Sequence, residues 1–569
     1  DGAAAVVSFS SSNDYPEITW SPWTHLAEPH RETLLRAEST TGDPDNDVFV
    51  WTMPGENGAS YEGREIRYTF TDTGIKELRL TQTITATGER YQLDSFVVVK
   101  YVRREIRQLH DSDREAFFDT METLYRLSTA EGVHLYGSEY KGIDYFVQMH
   151  LDGAGMKDCD HWHDDAGIMT HHVAYTLQFE QAMQLVDPSV SIPYWEYTIE
   201  HAMGLEGYGQ SEVFAGDWFG EFSPDNELHT VTNGRWAYLS VMEDAWDYVH
   251  NPYGLLRSPW NLDPTPYVTR HNTTSGESPT YMVSCEMYSD CFESSSMKVI
   301  NSCLNGQTHG PVHILIGGEW GASEEAFIQK VGYAESVPLV SKYLWRKGYL
   351  RIPETCTAGE GNCITTCPSH LYETKGMTPY DVLMDVHAMM WLAHTTQGAL
   401  VYNKKSDKWQ IKGHEDDGAF EDAFWSKMLS SMCNPGHVGE MFTSAAPYDP
   451  LFWVVHPTAD RLLGWRRMLG RQGADGYDFD ETWGYRHATV VGETGSVCSW
   501  EKVVAGTNDM PTCIIQTCGG HNEDDLLPFN VQINGQHGQY TNAEWMELIY
   551  PTNVDLPYMY DSFGWQHCR

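Results

Sequence analysis

The sequence lacks an apolar run long enough to cross a membrane. No stretch approaches the roughly 18 apolar residues that a spanning helix needs, so we expect no membrane insertion. Basic residues are scarce as well: 37 Lys and Arg stand against 80 Asp and Glu, which gives a formal net charge of −43. Because nucleic acids and anionic membrane surfaces repel a chain of this charge, we expect neither as a partner.

Cysteines in the CxxC spacing of zinc sites are also absent, although the chain contains 12 cysteines. An even number of scattered cysteines favours disulfide bonds formed in an oxidising compartment, with the pairing left open. The chain begins at Asp1 without a Met, which we interpret as the trace of a removed leader peptide. Asn272 begins an N-glycosylation sequon. We therefore expect a secreted, extracellular glycoprotein that carries disulfide bonds.

Three regions of different character follow one another along the 569 residues. Residues 1–102 contain alternating, β-branched and aromatic segments separated by turn residues, which predicts an immunoglobulin-like or PKD-like β-sandwich. Residues 103–474 are mainly helical in pattern, and residues 475–569 are rich in loops and strands and contain four cysteines. One predicted helix begins at a capping box over 112–115. Three others span 172–186, 379–400 and 457–469.

Histidine is plentiful, and most of the 25 histidines must be ordinary surface or core residues. His309 and His313 stand four positions apart, so a helix places both on one face, where they can share a metal ion. His456 directly precedes Pro457, and this order predicts that His456 lies at the start of a helix. A further group of histidines lies near residue 165: His161, His163, His171 and His172.

Four stretches around these histidines follow the order found in one family of copper proteins. They are HHVAYTLQFE at 171–180, SIPYWE at 191–196, HGPVHILIGG at 309–318 and DPLFWVVHPTADRL at 449–462. The first resembles the copper A stretch WHRxYLxxFE, and the last resembles the copper B signature DPxFWxHHxxxDR. The middle two resemble LPYWDW and HNxxHxxVGG. Over roughly residues 105–470, the chain thus resembles the tyrosinase, catechol oxidase and molluscan haemocyanin family of type 3 dicopper proteins.

The resemblance implies a mainly α protein whose four-helix-bundle core holds two copper ions, each by three histidines. Carried over by position, the copper A ligands are His150, His163 and His172. The copper B ligands are His309, His313 and His456. Two alternatives stay open at copper A, namely His134 in place of His150 and His161 in place of His163.

Several positions depart from the family's pattern. Some members bond a cysteine to the second copper A histidine, and Cys159 is the candidate for that thioether although its spacing differs. His456 lies 143 positions after His313, which implies a long insertion at about 320–432. Other residues are candidates for contact with the substrate or for support of the ligands: His161, His171, Phe442, Trp453 and Asp460.

The resemblance also implies an activity, which is the oxidation of o-diphenols, and of monophenols in some members, to o-quinones by molecular oxygen. Monophenol hydroxylation in the family is linked to a Glu before the first copper B ligand and an Asn after it. Ile300 and Gly310 occupy these places, so we expect a catechol oxidase rather than a tyrosinase. The alternatives are haemocyanin-like oxygen binding, and a structural extracellular protein that contacts matrix or associates with itself.

Overall fold

The computed structural model describes residues 6–54, 58–155, 160, 162–163, 166–203, 208–241, 257–258, 260–261, 263, 265–274, 283–332, 336–351, 364–393, 399–473, 478–483, 523–565 and 568. Helices prevail over strands in this part of the chain, as expected of a mainly α protein. No helix in these ranges is both long enough and apolar enough to cross a bilayer.

The N-terminal region is built of strands. They are β1 (Val7–Ser12), β2 (Leu26–Ala27), β3 (Glu32–Ser39), β4 (Val48–Met53), β5 (Ala59–Glu62), β6 (Glu65–Thr69), β7 (Gly74–Thr83) and β8 (Arg90–Val99). One sheet has the order β1-β3-β6 and the other the order β2-β8-β7-β4-β5. Buried and more exposed residues alternate along β4 and β6, since successive side chains of a strand point to opposite faces. The buried side chains of both sheets meet in one hydrophobic cluster.

Helices make up most of the chain from residue 111 onward. They are α1 (Asp111–Arg126), α2 (Thr129–Tyr136), α3 (Ile143–Ala154), α4 (His171–Val186), α5 (Thr198–Ala202), α6 (Cys285–Phe292), α7 (Met297–Cys303), α8 (Gly310–Gly317), α9 (Glu325–Val331), α10 (Ser336–Arg346), α11 (His370–Glu373), α12 (Pro379–Asp385), α13 (Met389–Leu392), α14 (Gly418–Met432), α15 (Phe452–Arg471) and α16 (Asn542–Leu548). Helix α4 is almost wholly buried and packs against α1 and α15. These helices share the largest hydrophobic cluster of the described residues.

Two of the predicted helices are present with small changes at their ends. Helix α4 begins one residue earlier than expected. Helix α1 begins at Asp111 with His110 before it and has no side-chain cap, so the capping box predicted at 112–115 is wrong. Ser112 lies inside the first turn, and the amide of Glu115, which it would have to cap, already belongs to the hydrogen-bond ladder of the helix.

The other two predicted helices differ more. The span 379–400 is interrupted, because His387 has a left-handed φ of 53° between α12 and α13. Helix α15 begins at Phe452, so Pro457 is its sixth residue and His456 does not start the helix. Pro457 forgoes one backbone hydrogen bond there. Full burial of the residues Phe452–Val455 holds the first turn in the helix despite that loss.

Residues 321–436 leave the main core and return to it at a pair of short strands. Strand β10 (Glu319–Trp320) pairs antiparallel with β13 (His437–Val438). Between them, helices α9–α14 and the hairpin of β11 (Leu400–Asn403) and β12 (Lys408–Ile411) surround a separate hydrophobic cluster. A disulfide bond between Cys367 and Cys433 closes this cluster. The segment from 321 to 436, which we call the inserted segment, therefore has its own core.

The C-terminal region joins the main core rather than standing apart from it. Strand β16 (Tyr558–Tyr560) pairs in parallel with β9 (Tyr101–Arg103), and β14 (Val531–Ile533) and β15 (Gln536–Gly538) form a hairpin whose strand β14 contacts α4. A disulfide bond from Cys285 to Cys568 adds a covalent tie, and Cys291 pairs with Cys303. The expectation of disulfide bonds is thus confirmed. Six cysteines lie outside the described residues: Cys159, Cys356, Cys363, Cys498, Cys513 and Cys518.

A buried charge network lies where β9, α4, α15 and β16 meet. The Arg103 guanidinium donates to the Glu180 carboxylate at 2.6 Å and lies 3.5 Å from Asp460. Asp460 also accepts hydrogen bonds from the hydroxyls of Tyr558 at 2.7 Å and Tyr560 at 2.6 Å. Burial raises the pKa of Asp460. Arg103 is therefore the cation that compensates two buried acids.

Replacing Arg103 by Leu is expected to lower the free energy of unfolding by about 3–5 kcal/mol, because two buried acids lose their cation. Urea unfolding followed by circular dichroism measures the change. The control is Arg79→Leu, which removes an exposed ion pair with Asp94 and should leave the midpoint nearly unchanged. If both variants lose the same free energy of unfolding, the buried network contributes no more to stability than the exposed ion pair does.

Candidate metal centre

Six histidines lie in two groups of three. In the first group, His150 of α3, His163 of the following loop and His172 at the start of α4 place their ring nitrogens within 4.8 Å of one another. Their ring centroids are 4.9 to 5.6 Å apart. This first group thus comes from two helices and the loop between them.

The second group contains His309, His313 and His456, whose ring nitrogens also lie within 4.8 Å of one another. His309 directly precedes α8 and His313 lies one turn later, so both rings point to the same side. The two groups adjoin each other. The rings of His172 and His456 stack at a centroid distance of 4.6 Å and an interplanar angle of 8°.

A close approach of two chain segments positions His313. An added Cβ at Gly317 would lie 2.4 Å from the backbone nitrogen of Phe442, so only glycine fits there. This contact brings the 440–444 segment against α8, and the carbonyl of Met441 accepts a hydrogen bond from His313 Nδ1 at 2.8 Å. The Gly317 position thereby determines the orientation of a histidine ring four residues earlier.

Backbone carbonyls hold most of the other rings in the same way. Nδ1 of His150 donates to the Ser444 carbonyl and Nδ1 of His456 to the Phe452 carbonyl, each at 2.7 Å. His172 Nδ1 lies 3.4 Å from the Gly167 carbonyl. A neutral imidazole that donates from Nδ1 keeps its lone pair on Nε2, which is the atom that can bind a metal.

Several Nε2 atoms of these histidines have no hydrogen-bond partner. Those of His150, His172 and His456 are buried and have no hydrogen-bond partner. The Nε2 atoms of His309 and His313 approach each other to 2.9 Å. Each buried unpaired nitrogen costs about 1–3 kcal/mol, and a bound cation would remove this penalty. The histidine groups thus fit a dicopper site.

Burial also determines the protonation of these rings. It lowers the pKa of His150, His172, His309 and His456 well below the usual histidine range, and that of His313 to about 4. All five are therefore neutral at physiological pH. Neutral imidazole is a good ligand for copper, so the protons need not be displaced when a metal binds.

Other candidate residues surround the histidine groups. His171 is buried, with its Nδ1 3.1 Å from the Thr170 hydroxyl. Phe442 is half-buried next to Met441. Trp453 stacks on Phe179 at a centroid distance of 3.5 Å, and its Nε1 donates to a tyrosine hydroxyl, which places it in the core.

The remaining candidates lie elsewhere. Asp460 belongs to the buried charge network around Arg103 and not to the histidine groups. His134, the alternative to His150, is exposed on α2, and Asn272 is exposed as well. Cys159 and His161 lie outside the described residues, so the thioether and the alternative to His163 stay predictions.

Three residues near the histidines were not named from the sequence. The Phe452 ring lies 3.9 Å from that of His456 and 5.4 Å from that of His150. Asp160 Oδ1 accepts a hydrogen bond from His163 Nδ1 at 2.8 Å, and Asn305 donates to the His163 carbonyl at 3.1 Å. Phe452 stands in the DPLFW stretch, which is a usable signal. Asp160 and Asn305 lie in no recognised motif.

Two adjoining histidine triads place the protein in the class of type 3 copper proteins. Comparison with known proteins gives the family. Residues 140–335 match the model described as the common central domain of tyrosinase, a stretch that contains five of the six histidines. Over these residues the chain carries the central domain of the tyrosinase family.

Curated relatives agree with this family. Grixazone synthase of Streptomyces griseus is 29% identical over 213 residues, which cover 31% of this chain and 66% of that protein. The tyrosinase-like protein of Pinctada maxima is 23% identical over 278 residues, and tyrosinase-like protein 2 of Margaritifera margaritifera is 22% identical. Both alignments cover 46% of this chain and 54% of the relative. The chain thus spans about half to two thirds of the length of these relatives.

Copper binding is expected to reach two ions per chain and to raise the unfolding temperature, because it satisfies the buried nitrogens. His456→Ala should lower the copper content to about one ion, since one triad is left with two ligands. His134→Ala, on the exposed face of α2, is the matched control and should retain both ions. Elemental analysis after dialysis measures the content, and two ions in His456→Ala would contradict the second group as a copper site.

Proposed function

We propose that this protein oxidises o-diphenols to o-quinones with molecular oxygen at two copper ions held by the six histidines. His150, His163 and His172 bind the first ion, and His309, His313 and His456 bind the second. The single observation that carries the proposal is the meeting of the two triads, with the His172 and His456 rings stacked at 4.6 Å. When bound, the copper pair supplies redox chemistry, in which two diphenols are oxidised as one oxygen molecule is reduced to water.

The protein's own part in this chemistry is to hold the rings and to exclude water. Hydrogen bonds from Nδ1 to backbone carbonyls prevent the rings of His150, His313 and His456 from rotating. The buried Phe452 ring packs against rings of both triads and excludes solvent from that side of them. No carboxylate belongs to either triad, so a hydrolytic zinc centre with acidic ligands is not favoured.

The six histidines of the two triads differ in how exposed their rings are. His150, His172, His309 and His456 are each no more than 3% exposed, whereas His163 and His313 are half-buried. Among the described histidines, these two rings therefore mark the side from which a planar phenol would reach the centre. Phe442, adjacent to the carbonyl that holds His313, is half-buried beside this approach and is suited to contact an aromatic substrate.

Two positions favour diphenols over monophenols as substrates. Ile300 is fully buried on α7, and Gly310 has no side chain at the start of α8. Neither can hold or activate a water molecule beside the second triad. Removal of the phenol proton before hydroxylation thus has no dedicated base at these positions, which supports a catechol oxidase rather than a tyrosinase.

We also propose how the chain is divided into structural units. The four helices that carry or adjoin the histidines, α3, α4, α8 and α15, form the four-helix bundle. The two N-terminal sheets form a β-sandwich module over 1–102, followed by the catalytic unit at 103–474 and a C-terminal region at 475–569. Secretion is supported by the disulfide bonds, and glycosylation by the exposure of Asn272.

Copper-loaded protein is expected to consume oxygen when catechol is added. His309→Ala should lower the rate by more than about 100-fold, because it removes a ligand rather than a supporting group. His134→Ala controls for loss of a histidine elsewhere. An oxygen electrode and quinone absorbance give the rates. Reversible oxygen binding without quinone formation would favour an oxygen carrier instead, and a protein that holds no copper would favour a structural role.

Tyramine is expected to be oxidised much more slowly than dopamine, its o-diphenol counterpart, and only after a lag. The reason is the absence of a base at positions 300 and 310. The ratio of initial oxygen uptake with the two substrates measures this preference. Rapid uptake with tyramine and no lag would show that another group near the site removes the phenol proton.

A further inference from the structure

His163 differs from the other histidines of the site in how it is held. It lies on a loop rather than on or directly before a helix. Four of the other rings turn Nδ1 toward a backbone carbonyl, whereas His163 Nδ1 donates to the side-chain carboxylate of Asp160 at 2.8 Å. The orientation of this ring therefore depends on what holds Asp160.

Asp160 is a buried junction of contacts. Its Oδ1 also accepts hydrogen bonds from the backbone amides of Trp162 at 3.2 Å and His163 at 3.1 Å. The residue is only 3% exposed, so its charge needs a compensating cation. Its Oδ1 thus organises the loop, while its Oδ2 remains for a charged partner.

That partner comes from the inserted segment. Lys342 on α10 donates from Nζ to Asp160 Oδ2, and Arg346 Nη2, one turn further along the helix, lies 3.9 Å from the same oxygen. Lys342 is separated from Asp160 by 182 positions in the sequence. Helix α10 packs in the separate core of the inserted segment, which fixes where its cations lie.

A charged acceptor orients an imidazole more strongly than a neutral one and makes its free nitrogen a better ligand. We infer that Lys342 is a positioning residue for the first copper site: it holds the Asp160 carboxylate, which fixes the ring of His163. This inference rests on the proposed dicopper function. The inserted segment would then contribute to the metal centre, because it supplies the cation that holds Asp160 and, through it, the ligand His163.

The test compares Lys342→Met with Lys347→Met in the full-length protein. Lys342→Met keeps most of the side-chain length and removes the charge. It should weaken the binding of one of the two copper ions by about 10- to 100-fold and leave the other unchanged. Lys347, which follows α10 and pairs with Asp385 at 3.6 Å, is the matched control and should leave both affinities unchanged. Competition with a chelator measures the affinities without reference to catalysis.

A spectroscopic signature identifies the loss of one ion. Two neighbouring Cu²⁺ ions couple their unpaired electrons and give no EPR signal, whereas a lone Cu²⁺ ion gives one. Under limiting chelator, Lys342→Met should show the lone-ion signal, while the unchanged protein and Lys347→Met should not. Lys342→Arg keeps the charge and is expected to restore most of the affinity. A Lys342→Met variant that binds both ions as tightly as the unchanged protein overturns the inference, and so does a Lys342→Arg variant that binds as weakly as Lys342→Met.

A double-mutant cycle tests whether Lys342 acts through Asp160. Asp160→Asn keeps an acceptor for the backbone amides but removes the charge, so adding Lys342→Met to it should change copper affinity less than about twofold. Independent, multiplying effects would mean that Lys342 does not act through Asp160. If the unchanged protein binds two coppers and Lys342→Met holds both equally well, only this inference falls. If the unchanged protein binds fewer than two, the proposed function falls with it.

Discussion

The histidine centre depends on one interaction repeated at five of its six rings, in which an imidazole turns Nδ1 toward a fixed oxygen and leaves Nε2 facing inward. The oxygens that receive these bonds must be held as firmly as the rings. The carbonyls of Met441 and Ser444 lie on the segment before α15, and buried ion pairs fasten both ends of that segment. Arg257 pairs with Glu440, and Arg270 contacts the Asp449 carboxylate through two nitrogens at 2.6 and 2.7 Å. Rigid placement of the metal ligands thus begins with backbone oxygens and the charges that hold them.

Buried charge also explains how distant parts of the chain meet. Arg103 on β9 and Tyr558 and Tyr560 on β16 converge on Asp460 of the helix that carries His456. Buried ion pairs add little net stability compared with apolar packing, but a wrong arrangement leaves an uncompensated charge and is strongly disfavoured. The network therefore selects the arrangement in which the N- and C-terminal strands are paired and α15 is correctly rotated. Because His456 lies on the same helix as Asp460, this rotation of α15 turns His456 toward His172.

Sequence reasoning reached the parts of the site whose contacts are local or carried by a motif. The six histidines that it named are the ones that the structure brings together. His309 and His313 follow from helical spacing, whereas the other four were carried over by position from the family's motifs. It failed where a tertiary contact overrides a local signal. Ser112 looks like a helix cap, yet α1 begins at Asp111, and Pro457 looks like a helix start, yet burial extends α15 back to Phe452. Asp160 and Lys342 carry no signal at all, since only the folded inserted segment makes them neighbours.

The two histidine triads differ in which parts of the chain hold their rings. His309 and His313 lie within one turn of chain, and His456 bonds to a carbonyl of its own helix. The other contacts of the second site span longer distances, since the carbonyl that holds His313 belongs to Met441, 128 positions away. The first depends on a loop histidine held by Asn305, 142 positions away, and through Asp160 by Lys342, 182 positions from that carboxylate. Contacts of such separation form only when most of the chain is in place, because each closes a long loop at an entropic cost. The first site therefore needs the inserted segment itself to be folded, because Lys342 belongs to it, whereas the second is held by residues that flank that segment.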